Sequence, residues 1–239
     1  GEVAPCGRYP FMVTIQDRQN VHLCGGVLID PEWILTAAHC VDSWGIPKLV
    51  IGACLFLDKD MIREVYIQPA DRGIKIHPNW TGDVADGNDL ALIKLPESSE
   101  MQHVQILNMS DSLHPGTLLV AVGWGDQGRE TSPYSHFQQA DDMVFLEQNL
   151  CRQMWAPDVF ISDTVICTVG DQSVCIGDSG GPLLLADAPD GNVAAGVPNK
   201  DSLVGIISFG NGSKCEMGKS VVYSRVSSFH DWIKSIIQQ

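Results

Sequence analysis

The sequence predicts an all-β protein, a barrel or sandwich finished by a C-terminal helix. Two observations predict it. Short runs of Val, Ile, Leu and Phe recur from end to end, each broken by Gly, Pro, Asn or Asp, which is the texture of many brief strands joined by turns. Helical periodicity is confined to two segments.

In chain order, strands are predicted at 11–16, 23–29, 48–53, 62–68 and 91–95, with a further one at Trp33 leading into 35–40. The texture resumes at 117–122, 143–146, 165–169, 182–185, 203–209 and 221–226. A brief helix is expected at 147–154. A better one opens at Ser228, where Asp231 three residues on would complete a capping box and Phe229, Trp232, Ile233, Ile236 and Ile237 share one face. The stretch 97–102 separates two strand-rich halves and reads as a lobe boundary. The Gly, Pro and Asp stretch 186–201 reads as a surface insertion.

Composition narrows the function. Fifteen basic residues against twenty-nine acidic ones leave a formal charge of -14 over 239 residues. Such a surface repels a phosphate backbone, and no Lys or Arg cluster offers a local exception, so nucleic acid is not an expected partner. The apolar stretches 118–122 and 183–185 fall far short of the roughly 20 residues that span a bilayer. A chain beginning at Gly1 is expected to be a processed product or an excerpt of a longer precursor. Eight cysteines without a C-x-x-C pair point to structural disulfides in an exported protein rather than to zinc. Sequons at Asn79, Asn108 and Asn211 agree with export.

Three segments place a reactive side chain among small residues. Ser179 lies in Gly177-Asp178-Ser179-Gly180-Gly181-Pro182, where a nucleophilic hydroxyl would be open to a carbonyl and backbone N–H groups could face an oxyanion. Taken alone, this is equally a Gly-rich turn. His39 lies in Leu35-Thr36-Ala37-Ala38-His39-Cys40, and an imidazole held in one tautomer is a general base, although a lone histidine is as often a core residue. Asp89 stands at the mouth of the apolar run 90–95, where a buried carboxylate needs a partner; Asp86 competes for the same role.

The order His, Asp, Ser in these contexts resembles the trypsin and chymotrypsin family of serine peptidases over essentially the whole chain. The likeness extends to Gly7-Arg8-Tyr9-Pro10-Phe11, Cys24-Gly25-Gly26, Gly123-Trp124-Gly125, Val222-Tyr223 and the final helix. It implies two six-stranded antiparallel barrels, about 1–100 and 101–226, with a C-terminal helix at 228–239 and the site in the cleft between them.

The resemblance assigns roles. Ser179 would be nucleophile, His39 base and Asp89 its orienting acid, with the N–H groups of Gly177 and Ser179 as oxyanion hole. Ser208 would line the site near Asp89, and 208–210 would pair with substrate as an added strand. Ser173 would floor the primary pocket, lined by Val174, Ile176, Phe209, Gly210 and Val221. With Ser173 where trypsin-like members carry Asp, and Val221 where Gly is common, cleavage is expected after small or medium apolar residues such as Ala, Val or Leu. Phe209 stands where the family usually has Trp. Asp178 would receive the amine freed by activation; Gly1 corresponds to the last of the four residues that open the family's active form. The implied disulfides are Cys24–Cys40, Cys151–Cys167 and Cys175–Cys215, with Cys6–Cys54 by remainder. The calcium loop of some members would start at Ala53 and Cys54, with Asp58 and Asp60 too few, so neither metal nor cofactor is expected. Asn79 and Asn108 are the candidate glycan acceptors, and Asn211, beside the groove, is expected to stay empty. A secreted monomeric zymogen product acting on proteins or peptides, and open to protein inhibitors, is the reading; a catalytically silent binding homologue is the alternative.

Overall fold

A computed structural model describes residues 1–42, 48–53, 64–67, 73–108, 113–126, 137–210, 215 and 220–238. Eight strands come first: β1 (Glu2–Val3), β2 (Met12–Gln16), β3 (His22–Asp30), β4 (Trp33–Thr36), β5 (Lys48–Ile51), β6 (Glu64–Ile67), β7 (Ile74–Ile76) and β8 (Ala91–Lys94). Then follow β9 (Gln105–Ile106), β10 (Leu118–Gly123), β11 (Gln138–Phe145), α1 (Gln148–Trp155), β12 (Val165–Val169), β13 (Pro182–Leu185), β14 (Ser202–Gly210), β15 (Val221–Arg225) and α2 (His230–Ile237).

The strands form two sheets. One is antiparallel throughout, in the order β6-β5-β2-β3-β4-β8-β7. The other runs β11-β10-β13-β14-β15-β12, and β12 returns to β11 through Val144 opposite Val169, so six strands close into a barrel. β1 pairs with β11 and the parallel β9 with β14 as additions. This is the chymotrypsin-like all-β architecture with its C-terminal helix. The first sheet departs from the expected six strands: seven are present, and the end strands β6 and β7 are not paired with each other among the described residues. The extra strand, Ile74–Ile76, is too short to register as an apolar run.

Strand β2 shows why the first sheet is stable: all five of its residues are buried between β3 and β5, including Thr14. The two sheets share a core. Phe11, Ile15, Leu28 and Ile34 from the first pack in one cluster with Val122, Trp124, Leu184 and Ile206 from the second. Glycine permits a close approach, because a Cβ on Gly25 of β3 would stand 2.9 Å from both Cα and N of Gly181 at the head of β13.

The two helices form where expected, with one correction. Ser228 is not a cap, and no side chain caps α2. A 3-10 turn over Val226–Phe229 precedes the helix, so the backbone is already coiled at Ser228 and the boundary lies later. The apolar face is real: Phe229 and Ile233 are buried, with Trp232, Ile236 and Ile237 against the same core. Each fully buried residue of this kind contributes about 1.5–3 kcal/mol.

The stretch 186–201 is exposed along much of its length but is built as three 3-10 turns, Pro189–Gly191, Val193–Ala195 and Pro198–Lys200. They wind around one guanidinium. Arg8 donates to both carboxylate oxygens of Asp201 at 2.5 and 2.9 Å, to the Val193 carbonyl at 2.8 Å and to the Asp187 carbonyl at 3.1 Å. Both partners are buried, so this ion pair anchors the insertion to the amino-terminal segment.

Candidate active site

His39 sits in a 3-10 turn, Ala38–Cys40, at the end of β4, and the Cys24–Cys40 disulfide ties that turn to β3. Asp89 lies just before β8, behind a bend in which Gly87 and Asn88 take φ of 72° and 56°. Its side chain is 1% exposed, so every lone pair needs a donor. Oδ1 accepts from the His39 backbone N–H at 2.9 Å, and Oδ2 accepts from His39 Nδ1 at 2.7 Å and from Ser208 Oγ at 2.5 Å. Ser224 Oγ donates to the Asp89 carbonyl at 2.8 Å. A carboxylate only accepts, so Nδ1 carries the hydrogen, and in the neutral ring the lone pair is on Nε2. Asp86, the competing acid, is instead exposed and accepts from Thr81 Oγ1 at 2.8 Å.

Ser179 comes from the other sheet. Its carbonyl accepts from Gly25 N at 2.7 Å, beside the disulfide that carries His39, and Gly180 N donates to Ile207 O at 2.8 Å, next to Ser208. Gly180 has φ of 79° and lies against Thr36 and Ala37, just ahead of His39. The backbone therefore brings the serine segment to the His39 turn. No hydrogen bond joins Ser179 Oγ to His39 Nε2 among the described residues; in unliganded enzymes such bonds are often long and tighten with substrate.

The N–H groups of Gly177 and Ser179 donate to no backbone carbonyl among the described residues. Two residues that the sequence did not single out hold this turn. His22 Nε2 donates to the Gly177 carbonyl at 2.8 Å and Thr14 Oγ1 meets Nδ1 at 2.7 Å. Burial pushes the His22 pKa down to about 4, so the ring is neutral and its one hydrogen stays on the carbonyl. Nothing in the sequence marks His22 beyond its place two residues before Cys24.

Asp178 turns away from the site. Its oxygens accept from Gly125 N at 2.7 Å and Cys175 N at 2.8 Å, closely packed against the backbone of Gly123 and Gly125. Burial pushes its pKa up to about 6, opposed by those two amides and then by the Gly1 amine.

Ser173 Oγ donates to the Val174 carbonyl at 3.1 Å. Val174 and Val221 are buried in the same cluster with Tyr223, whose hydroxyl lies 3.0 Å from Thr168 Oγ1. Strand pairing sets Val221 opposite Gly210 and Val222 opposite Phe209. A Cβ on Gly210 would meet nothing within 4 Å among the described residues. Phe209 stacks edge-on against Trp155 at 5.2 Å, and Ile176 is exposed.

The disulfides Cys24–Cys40, Cys151–Cys167 and Cys175–Cys215 are formed. Cys6 is disulfide-bonded, whereas its expected partner Cys54 lies outside the described residues, as do Asp58, Asp60 and Asn211. Cys24, His39 and Cys40 place their potential ligand atoms within 4.8 Å of one another, but both sulfurs are spent in the disulfide and offer no thiolate. Asn79 and Asn108 are exposed. Among the described residues no helix is long and apolar enough to cross a membrane.

The family model described as Trypsin matches residues 1–233. A collagenase of Hypoderma lineatum is 31% identical over 98% of this chain and 85% of its own length. Brachyurin of Leptuca pugilator is 32% identical over 90% of this chain and 88% of its own. Serine protease 1 of Drosophila melanogaster is 31% identical over 95% of this chain and 81% of its own.

Proposed function

The chain belongs to the trypsin family of serine endopeptidases, and from that premise we propose that His39, Asp89 and Ser179 hydrolyse peptide bonds after small or medium apolar residues in a secreted enzyme. The observation that carries this reading is the fully satisfied Asp89, which orients His39 through Nδ1 beside the serine turn. The Ser179 oxygen attacks the scissile carbonyl carbon while its proton passes to Nε2. The resulting oxyanion is received by the N–H groups of Gly177 and Ser179. The C–N bond then breaks, Nε2 returns the proton to the departing amine, and an ester to Ser179 remains. Water repeats the sequence with His39 as base, freeing the acid and Ser179.

Preference follows from volume and polarity. Ser173 offers no charge to a substrate Lys or Arg, and Val174 and Val221 fill the base with apolar bulk. Each methylene discriminates by only about 1–3 kcal/mol, so selection is broad across Ala, Val and Leu and poorer for large aromatics. Strand 208–210, with open Gly210 and the Phe209 wall, receives the substrate backbone, and Ile176 covers the rim. In a matured form a freed α-amine pairs with Asp178, whose raised pKa marks a carboxylate in want of a cation. The disulfides support secretion, glycans are placed at Asn79 and Asn108, and the enzyme acts as a monomer open to protein inhibitors.

A fluorophosphonate probe tests the reading. The activated protein labels at Ser179 and cleaves peptides, and Ser179→Ala does neither. Absence of labelling in protein with a verified mature terminus would establish a silent homologue instead.

A further inference from the structure

The barrel seam between β11 and β12 stops short of the pocket. Its paired residues are Phe145 with Thr168 and Val144 with Val169, and the same register would next oppose Met143 and Gly170 and then Asp142 and Asp171. There the backbone ladder is replaced by a side chain. Asp142 Oδ2 accepts from the N–H of Asp171 at 2.8 Å and of Gln172 at 3.0 Å, while Gln172 Nε2 donates to Asp141 Oδ1 at 3.1 Å. Gly170 presses against the same residue, since a Cβ there would stand 2.8 Å from the Asp142 carbonyl and 2.9 Å from Oδ1. Oδ1 is buried without a hydrogen-bond partner among the described residues. A carboxylate with one oxygen buried and unpaired is costly, and here its other oxygen takes the two amides that immediately precede Ser173.

We infer that Asp142 is a specificity-positioning residue: by clamping the turn 170–172 onto the barrel seam it sets the height of the Ser173 floor and so the depth of the primary pocket. It touches no reacting atom. This rests on the pocket reading proposed above. The clamp acts on Ser173 and Val174 and not on Ser179, whose carbonyl accepts from Gly25 N and whose neighbour Gly180 donates to Ile207 O. A carboxylate grips two amides with charge-assisted hydrogen bonds; an amide oxygen in Asn holds them less firmly, and Ala not at all.

The test measures kcat/KM of the activated enzyme on peptide anilides that differ only in Ala, Leu or Phe before the scissile bond. Asp142→Ala narrows the spread among the three to within about threefold, and Asp142→Asn gives an intermediate spread. Phosphonylation of Ser179 by diisopropyl fluorophosphate, which uses little of the pocket, stays within about threefold of wild type. An unchanged spread, or an equal fall on all three substrates and on phosphonylation, overturns the inference. Hydrogen exchange on the unmutated protein supplies a readout independent of variant folding: the Asp171 and Gln172 amides exchange as slowly as those of β12, and exchange at the rate of an open loop overturns the clamp. Val221→Gly separates this from the pocket reading. If it admits Phe while Asp142→Ala leaves the spread intact, the clamp is wrong and the pocket right. If it too leaves Phe excluded, the pocket reading itself has failed.

Discussion

Asp89 and Asp178 are two carboxylates withdrawn from water near the meeting of the two sheets, and they are served very differently. Asp89 receives one backbone and two side-chain donors, one of them Ser208 from the opposite sheet, with Ser224 steadying its carbonyl. Asp178 receives two backbone amides, and burial pushes its pKa up to about 6. The difference teaches that a carboxylate away from water is held by whatever the packed backbone aims at it: Asp89 is supplied on both oxygens from two sheets, while the ionised form of Asp178 is still poorly supported.

The largest effect should fall at the well-served acid. Asp89→Asn can present an amide N–H to Nδ1 and so stabilise the wrong tautomer, and kcat should drop by about 10⁴-fold in peptide hydrolysis assays with little change in KM. A loss below tenfold would erase the contrast. Asp178→Asn should cost about 10²- to 10³-fold in kcat by loosening the turn that presents the Gly177 and Ser179 amides.

Asp178 should also leave a signature in the pH dependence of stability. An acid whose folded pKa is raised from 3.8 to about 6 stabilises the fold fully below its ordinary value, and that contribution is lost as pH rises through about 6. His22, pushed from 6.5 down to about 4, acts in the opposite sense: its contribution is present above 6.5 and lost as pH falls toward 4. Thermal melts of wild type and Asp178→Asn across pH 4 to 7 should therefore diverge, with the variant gaining relative to wild type as pH rises. Parallel curves would show that Asp178 ionises freely.

Ser208→Ala removes one donor from Asp89 but leaves both His39 bonds. A hydrogen bond to a charged group is worth about 1.5–3 kcal/mol, so kcat/KM should fall about ten- to a hundredfold. The smallest effect belongs to an acid in water. Asp163, 88% exposed and paired with Arg152 at 2.5 Å, should change unfolding free energy by less than about 1 kcal/mol on replacement by Asn.

Much of this molecule was legible in its residues. Strands 165–169 and 182–185 and the strand pairs that flank them follow from apolar runs and turn residues, because each strand is a local pattern. Strands such as Glu2–Val3 and Gln105–Ile106 were not, since two residues carry no pattern and become strands only where a neighbour offers its edge. The cap at Ser228 failed because a 3-10 turn intervened, which depends on how the helix docks. The motifs around His39, Asp89 and Ser179 stood out because reactive groups among small residues are unusual locally.

The chain by itself determined which chemistry is available: an imidazole, a carboxylate and a hydroxyl in recognisable surroundings, cysteines for stapling, and alternation enough for two sheets. Only the tertiary structure decided that Ser208 and Ser224 would serve Asp89, that neutral His22 would hold the Gly177 carbonyl, that Arg8 would gather the insertion around Asp201, and that Asp142 would take the Asp171 and Gln172 amides. The reason is physical. These partners are separated by between 29 and 193 positions along the chain, and a buried polar atom takes whichever donor or acceptor the packed backbone delivers to it, a choice no local pattern records.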